Sequence, residues 1–233
     1  MKTAIITGAS VGIGAATAKR FLDDDYRVYN LSRRPCPLPS VTNLHCDLAS
    51  VNAVAAACET LAPQAAESDS VALIHNACQM RKDSAMDCSS DSLREVLETN
   101  VIAINSINQL LLPLLPNGSS ALYVGSTLSE KAVAGTFSYV ISKHAQLGMM
   151  RATCQDLMGK GIHTALICPG FTDTEMLRTH LDNDQTVLDT LAAMNSYGRL
   201  VAAEEIAELL YWAHHNPVIN GAVLHANLGQ QEN

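Results

Sequence analysis

The start of the chain contains the pattern that restricts its fold most. A short apolar and β-branched run at residues 3–7, TAIIT, stops at Gly8, and a helical pattern continues from about Ile13 through Phe21. Strands and helices then alternate at a spacing that predicts an α/β fold with a parallel, doubly wound sheet of about seven strands and helices on both faces. No internal repeat or second domain is visible, so we expect residues 1–233 to form one domain.

The turn between the first strand and helix is rich in glycine. Its sequence is TGASVGIG, with glycines at positions 8, 12 and 14. Glycine lets the backbone bend sharply, approach a ligand and present amides at the positive end of a helix, all of which a pyrophosphate requires. The place of the turn favours nucleotide binding over a purely structural role. The contacts are expected from Gly8, Ser10, Gly12, Ile13 and Gly14.

The second predicted strand, in RVYNLSRRP, ends in Ser32, Arg33 and Arg34. In a dinucleotide-binding fold this end lies beside the adenosine ribose, where an acidic residue would bind the 2′-hydroxyl of NAD. The sequence has no acidic residue at this point. A hydroxyl and two guanidinium groups suit a 2′-phosphate, so we expect NADP(H) as the preferred cofactor and NAD(H) as the alternative. The competing interpretation is that the arginines, Arg34 above all, only solvate a strand end.

Two further strand ends bring small or polar residues to the same edge of the sheet. A short strand around Leu44 is followed by Asp47 and Leu48. We expect Asp47 either to cap the next helix or to accept a hydrogen bond from the adenine amino group. Small residues at a strand end leave room for a cofactor, and the strand in VALIHNAC ends in Asn76, Ala77 and Cys78.

A serine, a tyrosine and a lysine share one stretch, STLSEKAVAGTFSYVISK. Ser126 follows a fifth strand, ALYVG, and Tyr139 and Lys143 lie four residues apart on the next helix. At that spacing an ammonium can lie under the phenol and favour its ionised form, so that the pair handles protons near neutrality. The YxxxK motif alone is a weak signal, because many surface helices contain it by chance.

Asn100 falls inside a helix predicted over residues 91–112. Asparagine is a poor residue for a helix interior, which suggests that it is retained for its side chain. The alternative is a helix bend hydrated by water.

Charge and composition restrict the partners. A net charge of −8 and a pI near 5.4 argue against a nucleic acid or an anionic membrane as the partner, so a small soluble ligand is expected.

The N-terminus lacks a signal-peptide pattern, and no apolar stretch approaches about 18 residues, the length that spans a bilayer. Seven cysteines without a C-x-x-C pair indicate free thiols in a reducing cytoplasm. Neither they nor the histidines have the spacing of a metal site.

The alternation of strand and helix patterns becomes irregular between residues 171 and 197, where threonines, charged residues and scattered apolar residues mix. We expect a lid over the substrate there, with an ordinary surface helix as the alternative. Arg81 and Arg178 are either ligands of a substrate carboxylate or solvated charges. The pocket is expected to be apolar, and its predicted residues are Thr127, Leu128, Phe171, Met176 and Leu177.

Together these motifs resemble the short-chain dehydrogenase/reductase family over nearly the whole chain. TGASVGIG resembles the family's TGxxxGxG, HNAC resembles its NNAG block, and PGFTDT resembles its PGxxxT. Asp47 matches the aspartate after the third strand, and Asn100 matches the helix asparagine. Ser126, Tyr139 and Lys143 match the catalytic set in order and spacing.

The resemblance implies a Rossmann-like oxidoreductase that moves hydride between NADP and a carbonyl or alcohol, with reduction of a small or medium hydrophobic carbonyl favoured. Tyr139 would be the acid or base, and Ser126 would bind the carbonyl oxygen. Lys143 would lower the tyrosine pKa and hold the nicotinamide ribose, while Asn100 would hold a water that links Lys143 to solvent. The PGxxxT match adds cofactor contacts from Pro169, Gly170, Thr172 and Thr174, the last to the nicotinamide carboxamide.

Three departures from the family pattern stand out. His75 and Cys78 replace the first asparagine and the glycine of NNAG, and oxidation of Cys78 could affect activity. Thr172 stands where the family often has valine or isoleucine. The ending ANLGQ replaces a D-G-G ending, which puts the usual C-terminal contacts between subunits in doubt.

The resemblance also bears on assembly and on competing functions. Similar proteins are mostly dimers or tetramers formed through two long helices, here predicted at 91–112 and 139–158, so we expect a homodimer or homotetramer. Two other functions stay open: an NADP-binding sensor or scaffold with little turnover, and an alcohol-oxidising dehydrogenase. The intact set of catalytic matches argues against the sensor, since a binding protein does not need all of them.

Overall fold

Seven parallel strands form one sheet in the computed structural model, which describes residues 1–231, so that the last two residues of the predicted domain lie outside it. The strands are β1 (Thr3–Thr7), β2 (Arg27–Ser32), β3 (Val41–His45), β4 (Val71–His75), β5 (Ser120–Val124), β6 (His163–Pro169) and β7 (Ala222–Ala226). Their order is β3-β2-β1-β4-β5-β6-β7, and every neighbouring pair runs parallel. The predicted doubly wound, Rossmann-like sheet is confirmed.

Helices cover both faces of this sheet. They are α1 (Gly12–Leu22), α2 (Val51–Ala66), α3 (Ser90–Leu97), α4 (Ala103–Leu111), α5 (Phe137–Asp156), α6 (Glu175–His180), α7 (Gln185–Ala192) and α8 (Ala203–His215). Successive β1 residues point to opposite faces: Ala4 and Ile6 pack with α1 and α8, whereas Ile5 packs with α2 and α4. All residues of β1, β4 and β5 are buried, as expected of parallel strands covered on both sides.

The chain changes direction across the sheet between β1 and β4. The first three strands are added outward from β1, and the chain then returns to place β4 on the other side of β1. Such a reversal opens a crevice at the carboxyl ends of the two strands. Gly8 follows β1 and Asn76 follows β4, so the glycine-rich turn lies at this crevice.

The helix predicted over residues 91–112 is interrupted. After α3 comes a π-helical turn, Glu98–Ile102, then α4 and a 3₁₀ turn at Leu112–Leu114. Asn100 lies in the π-helical turn. Val96 and Asn100 are both fully buried, each with 0% of its surface exposed.

The segment at 171–197 contains two short helices, α6 and α7. It lies against the glycine-rich turn, because the Thr174 methyl group is 3.1 Å from the point that a Cβ on Gly12 would occupy. Its function as a lid remains a prediction.

Two buried histidines are expected to make the fold sensitive to acid. His214 of α8 pairs its Nδ1 with the Ser120 hydroxyl at 2.8 Å, and burial, reinforced by His215 and His163, lowers the pKa of His214 to about 3. Burial also lowers the pKa of His75 to about 4, although a hydrogen bond with Asn108 opposes that change. Both side chains are therefore neutral in the folded protein at neutral pH.

We expect the free energy of unfolding to fall as the pH drops below about 6.5. An unfolded histidine binds a proton near pH 6.5, whereas His75 and His214 in the folded protein bind one only near their lower pKa values. The stability that they contribute is therefore present above pH 6.5, and it is lost as the pH falls from 6.5 towards their folded pKa values. Each contributes a slope of about 1.4 kcal/mol per pH unit in that window.

Urea unfolding at a series of pH values measures this slope. His214→Asn keeps a hydrogen-bonding atom near Ser120 without a titrating ring, so this variant should lose part of the slope if it folds at neutral pH. Equal stability of the unmodified protein at pH 7 and pH 5 would contradict the prediction.

Candidate active site

The glycine-rich turn forms a cradle whose shape depends on missing side chains. Gly8 and Gly12 have positive φ angles of 73° and 55°. A Cβ on Gly14 would lie 2.2 Å from the Gly8 carbonyl oxygen. Val11 at the start of α1 supplies no side-chain cap, so the first amides of this helix are available to a ligand. A close backbone approach at a positive helix end fits the diphosphate of a dinucleotide.

Buried polar side chains fix this turn in place. Asn30 of β2 accepts a hydrogen bond from the Ala9 amide at 2.9 Å and donates to Asn43 at 2.9 Å. Thr7 Oγ1 accepts from the amides of Asn76 and Ala77, each at 3.0 Å. Asn76 Nδ2 donates in return to the carbonyl oxygens of Thr7 and Gly8, at 3.0 and 3.1 Å. The sequence interpretation missed Asn30, although an asparagine inside an apolar strand was a signal.

The end of β2 lies beside the same turn. Ser32 Oγ donates to Ser10 Oγ at 3.4 Å. The two arginines that follow differ: Arg34 forms an ion pair of 2.9 Å with Glu175 of α6, whereas Arg33 is exposed and has no hydrogen bond or ion pair among residues 1–231. Arg33 is thus the more available of the two for a phosphate.

Asp47 does not cap α2, which corrects one of its two predicted roles. Ser50 is the capping residue, and its hydroxyl accepts from the Ala53 amide at 3.3 Å. Asp47 lies too early in the chain for that contact and accepts from Ala49 instead, at 3.1 Å. Its other predicted role, towards adenine, stays a prediction. Leu48 is buried in the core beneath it.

Ser126 and Tyr139 come together at the carboxyl end of β5. Ser126 starts a short 3₁₀ turn, Thr127–Ser129, and its hydroxyl accepts from the Leu128 amide at 3.1 Å. Tyr139 reaches the same point from the first turn of α5, is 8% exposed, and shares a side-chain hydrogen bond with Ser126. A hydroxyl pair of this kind can bind one carbonyl oxygen from two directions.

The phenol of Tyr139 holds its proton firmly. Burial raises the pKa of Tyr139 well above the ordinary phenol value, the Cys78 thiol adds to the increase, and the hydrogen bond with Ser126 opposes it in part. The net direction is the sum of these influences, and the lowering expected from Lys143 stays a prediction. Removal of the phenol from water outweighs the attraction of an ammonium that lies 5.5 Å from the ring centroid.

Lys143 is 1% exposed and points towards two acceptors. Its Nζ donates to the Val124 carbonyl oxygen at 2.7 Å and to Gln146 Oε1 at 3.1 Å. Burial lowers the pKa of Lys143, while the Cys78 and Cys168 thiols act in the opposite direction. The ammonium is therefore held by neutral oxygens and not by a carboxylate.

Asn100 joins the loop after β4 to α5. Its Oδ1 accepts from the Gln79 amide at 2.7 Å, and its Nδ2 donates to the Gln79 carbonyl oxygen at 2.8 Å and to Ser142 Oγ at 2.9 Å. The main-chain oxygen of Asn100 accepts from Gln146 Nε2 at 2.8 Å. The water that the resemblance implied at Asn100 stays a prediction. The sequence interpretation did not single out Gln146.

Asp83 is a second residue that the sequence interpretation missed. Its Oδ1 accepts from the Ser138 amide at 3.0 Å, and its own main chain bonds to Gly135 and Phe137. Thr136 at the start of α5 makes no capping bond with its side chain, so Asp83 caps this helix from a distant loop. Burial opposes ionisation, but the hydrogen bond from Ser138, the Cys88 thiol and the Arg81 charge together outweigh it and lower the pKa of Asp83.

The other predicted contacts surround this centre. Pro169 ends β6, and just after it Thr172 donates a hydrogen bond to the Gly170 carbonyl oxygen at 3.0 Å. Thr174 caps α6 by accepting a hydrogen bond from the Leu177 amide at 3.3 Å. Met176 brings its sulfur within 3.9 Å of the Cys78 sulfur. Among the predicted pocket residues, Thr127 is buried, Leu128, Phe171 and Leu177 are half-buried, and Met176 is exposed.

The two arginines considered for a substrate carboxylate are already paired. Arg178 contacts Asp173 through two nitrogens, at 2.6 and 2.8 Å, and Arg81 pairs with Glu95. Within residues 1–231 there is no cluster of three or more side chains that could hold a metal ion. No described helix is long and apolar enough to cross a membrane.

Comparison with known proteins identifies the family. The profile of the family described as enoyl-(acyl carrier protein) reductase matches residues 8–231. The chain is 24% identical over 240 residues to the 3-oxoacyl-[acyl-carrier-protein] reductase FabG of Salmonella typhimurium, covering 98% of this chain and 96% of the relative. It is 25% identical over 240 residues to carbonyl reductase family member 4 of Xenopus tropicalis, covering 99% and 98%.

The fold agrees with solved structures. A short-chain dehydrogenase from Burkholderia cenocepacia, solved in complex with NADP, superimposes with a TM-score of 0.86 at 27% identity, over 98% of this chain and 97% of the other. The family match covers most of the chain, and the chain therefore belongs to the short-chain dehydrogenase/reductase family of oxidoreductases.

Proposed function

We propose that this protein is an NADPH-dependent carbonyl reductase of small or medium hydrophobic substrates. The observation that carries the proposal is the buried phenol of Tyr139, hydrogen-bonded to the Ser126 hydroxyl at the sheet edge where the glycine-rich turn lies. A phenol positioned in this way can act as a general acid towards a carbonyl oxygen.

In this proposal each side chain has one task. Ser126 and Tyr139 hydrogen-bond the carbonyl oxygen, and Tyr139 donates its proton to that oxygen as the carbonyl becomes an alcohol. The bound nicotinamide cofactor supplies the hydride to the carbonyl carbon. Lys143 places a positive charge near the phenolate that remains and stabilises it until it is reprotonated.

The names of the relatives support reduction of a carbonyl group. One is a 3-oxoacyl-[acyl-carrier-protein] reductase and another a carbonyl reductase. The NADP complex of the Burkholderia cenocepacia protein supports the choice of cofactor. We extend the cofactor proposal to the contacts predicted from sequence, which are Gly8, Ser10, Gly12, Ile13, Gly14, Ser32, Arg33, Arg34, Asp47, Leu48, Asn76, Ala77, Cys78, Pro169, Gly170, Thr172 and Thr174.

One experiment separates this function from its two alternatives. Oxidation of NADPH is followed by absorbance against diketones, aldehydes, pterins, 3-oxosteroids and 3-oxoacyl thioesters, and reduction of NADP against the matching alcohols. Reduction of at least one carbonyl supports the proposal. Turnover of alcohols alone favours an oxidising dehydrogenase, and cofactor binding without turnover favours a sensor.

Arg33 is expected to select NADPH over NADH. Arg33→Ala should weaken NADPH binding at least about tenfold, because a charge-assisted bond to phosphate contributes about 1.5–3 kcal/mol, and should leave NADH binding unchanged. Fluorescence titration with both cofactors measures the effect. Arg34→Ala is the matched control: Arg34 already pairs with Glu175, so a smaller loss is expected. Tighter binding of NADH than NADPH by the unmodified protein would contradict the assignment.

Assembly, location and domain organisation complete the proposal. Ile102 and Leu110, each 43% exposed, both lie in the segment 91–112, one of the two expected to pair between subunits, which supports a homodimer or homotetramer. All seven cysteines are free thiols, which supports a cytoplasmic location. The shared sheet supports one domain.

A further inference from the structure

Gln146 lies three residues beyond Lys143 on α5, and only 1% of its surface is exposed. Both ends of its amide are engaged: Oε1 accepts from Lys143 Nζ at 3.1 Å, and Nε2 donates to the Asn100 main-chain oxygen at 2.8 Å. One buried amide therefore joins the ammonium of the reaction centre to the π-helical turn at Glu98–Ile102.

The direction of the Lys143 ammonium depends on this contact. An ammonium has three N–H donors in tetrahedral geometry, so two acceptors determine where the third donor points. The two acceptors are the Val124 carbonyl oxygen and Gln146 Oε1. The Val124 oxygen belongs to a strand and cannot adjust, which leaves Gln146 as the side chain that sets the position of the charge.

We propose that Gln146 is a positioning residue for Lys143 and is itself held by the main-chain carbonyl of Asn100. The inference rests on the proposed reductase function. Asn100 then contributes through its main chain by orienting Gln146, and through its side chain by fixing the Gln79 loop and Ser142.

The groups around the ammonium determine whether replacing Gln146 raises or lowers the pKa of Lys143. Tyr139 faces it from α5, Cys78 from the end of β4 and Cys168 from β6. None of them is a carboxylate, so the loss of the Gln146 acceptor leaves the charged form of Lys143 less stable. A carboxylate at position 146 has the opposite effect, because an adjacent negative charge favours the ammonium.

Three variants test the proposal. Gln146→Leu has a similar size and no hydrogen bonds, Gln146→Glu keeps an acceptor and adds a charge, and Gln155→Leu makes the same change on the exposed side of α5. In Gln146→Leu we expect a kcat at least about tenfold lower, a KM within about twofold, and an alkaline limb of the pH profile about one unit lower. Gln146→Glu should move that limb upward, and Gln155→Leu should behave as the unmodified protein.

A readout that needs no turnover accompanies the kinetics. Nuclear magnetic resonance of isotope-labelled lysine ε-carbons follows the titration of Lys143, whose signal is assigned by its absence in Lys143→Met. Its midpoint should fall in Gln146→Leu and rise in Gln146→Glu. An unchanged midpoint in both variants overturns the proposal, and so does a shift in the same direction in both, which indicates a general disturbance of packing.

The two hypotheses can fail separately. If the unmodified protein reduces no carbonyl in the panel, the proposed function is wrong, and the lysine titration still decides whether Gln146 positions the charge. If carbonyls are reduced and the titration midpoints do not diverge, the reductase assignment stands and the role of Gln146 is overturned.

Discussion

Replacing Tyr139 by phenylalanine is expected to lower kcat for carbonyl reduction by about 10²- to 10⁴-fold, the usual contribution of one positioned acid. The substitution removes only the phenol hydroxyl from a buried side chain, so the fold and the affinity for NADPH should change little. Steady-state kinetics and fluorescence titration of the same preparation measure the two quantities.

A matched control is Tyr29→Phe on β2. Its hydroxyl also donates one hydrogen bond, to Gln64 at 3.0 Å, but lies outside the site. This variant should retain nearly full activity. A loss below about tenfold in Tyr139→Phe would mean that another group supplies the proton.

Replacing Gly14 by alanine is expected to have the largest effect on stability and cofactor binding. The new Cβ would lie 2.2 Å from the Gly8 carbonyl oxygen and 2.6 Å from Asn76 Nδ2. Neither group can move away cheaply, since the first is backbone of the turn and the second fastens that turn to β4. We expect α1 to shift outward, at a cost of about 3 kcal/mol in the free energy of unfolding and at least about tenfold in NADPH affinity.

Gly148→Ala provides the matched control for that experiment. Gly148 lies inside α5, and nothing comes within 4 Å of the position its Cβ would take. Alanine there should stabilise the protein by about 0.5–1 kcal/mol, because it reduces the freedom of the unfolded chain. Urea unfolding compares the two variants. Equal free energies of unfolding would show that a Cβ at position 14 does not destabilise the protein.

Local patterns were sufficient to predict most of the fold. The glycine-rich turn and the apolar strands follow from residues close together in the chain, so their structure could be predicted from spacing and side-chain type. The same holds for Tyr139 and Lys143, which one turn of helix places together. The place of Asn100 inside a helix marked it as unusual, but only the family resemblance connected it to these two residues.

The unpredicted parts depend on contacts between distant segments. Gln146 meets Asn100 across 46 residues of sequence, and Asp83 meets Ser138 across 55. Nothing near Gln146 or Asp83 in the sequence marks either as special, because their partners are set by how the sheet assembles. The net direction of the Tyr139 pKa shift could not be predicted for the same reason: helix spacing places Lys143 nearby, but only the packed structure shows how completely water is removed.

The hydrogen bond between Asn76 and Gly8 carries a consequence for how cells keep this protein folded. It joins residues 68 positions apart, so the dinucleotide cradle exists only after β1 and β4 have paired and is absent from the unfolded chain. A ligand that binds only the native state stabilises it by about 2.7 kcal/mol at one hundred times its Kd. The cellular supply of cofactor would then regulate how much of the protein escapes degradation, in addition to how fast it works.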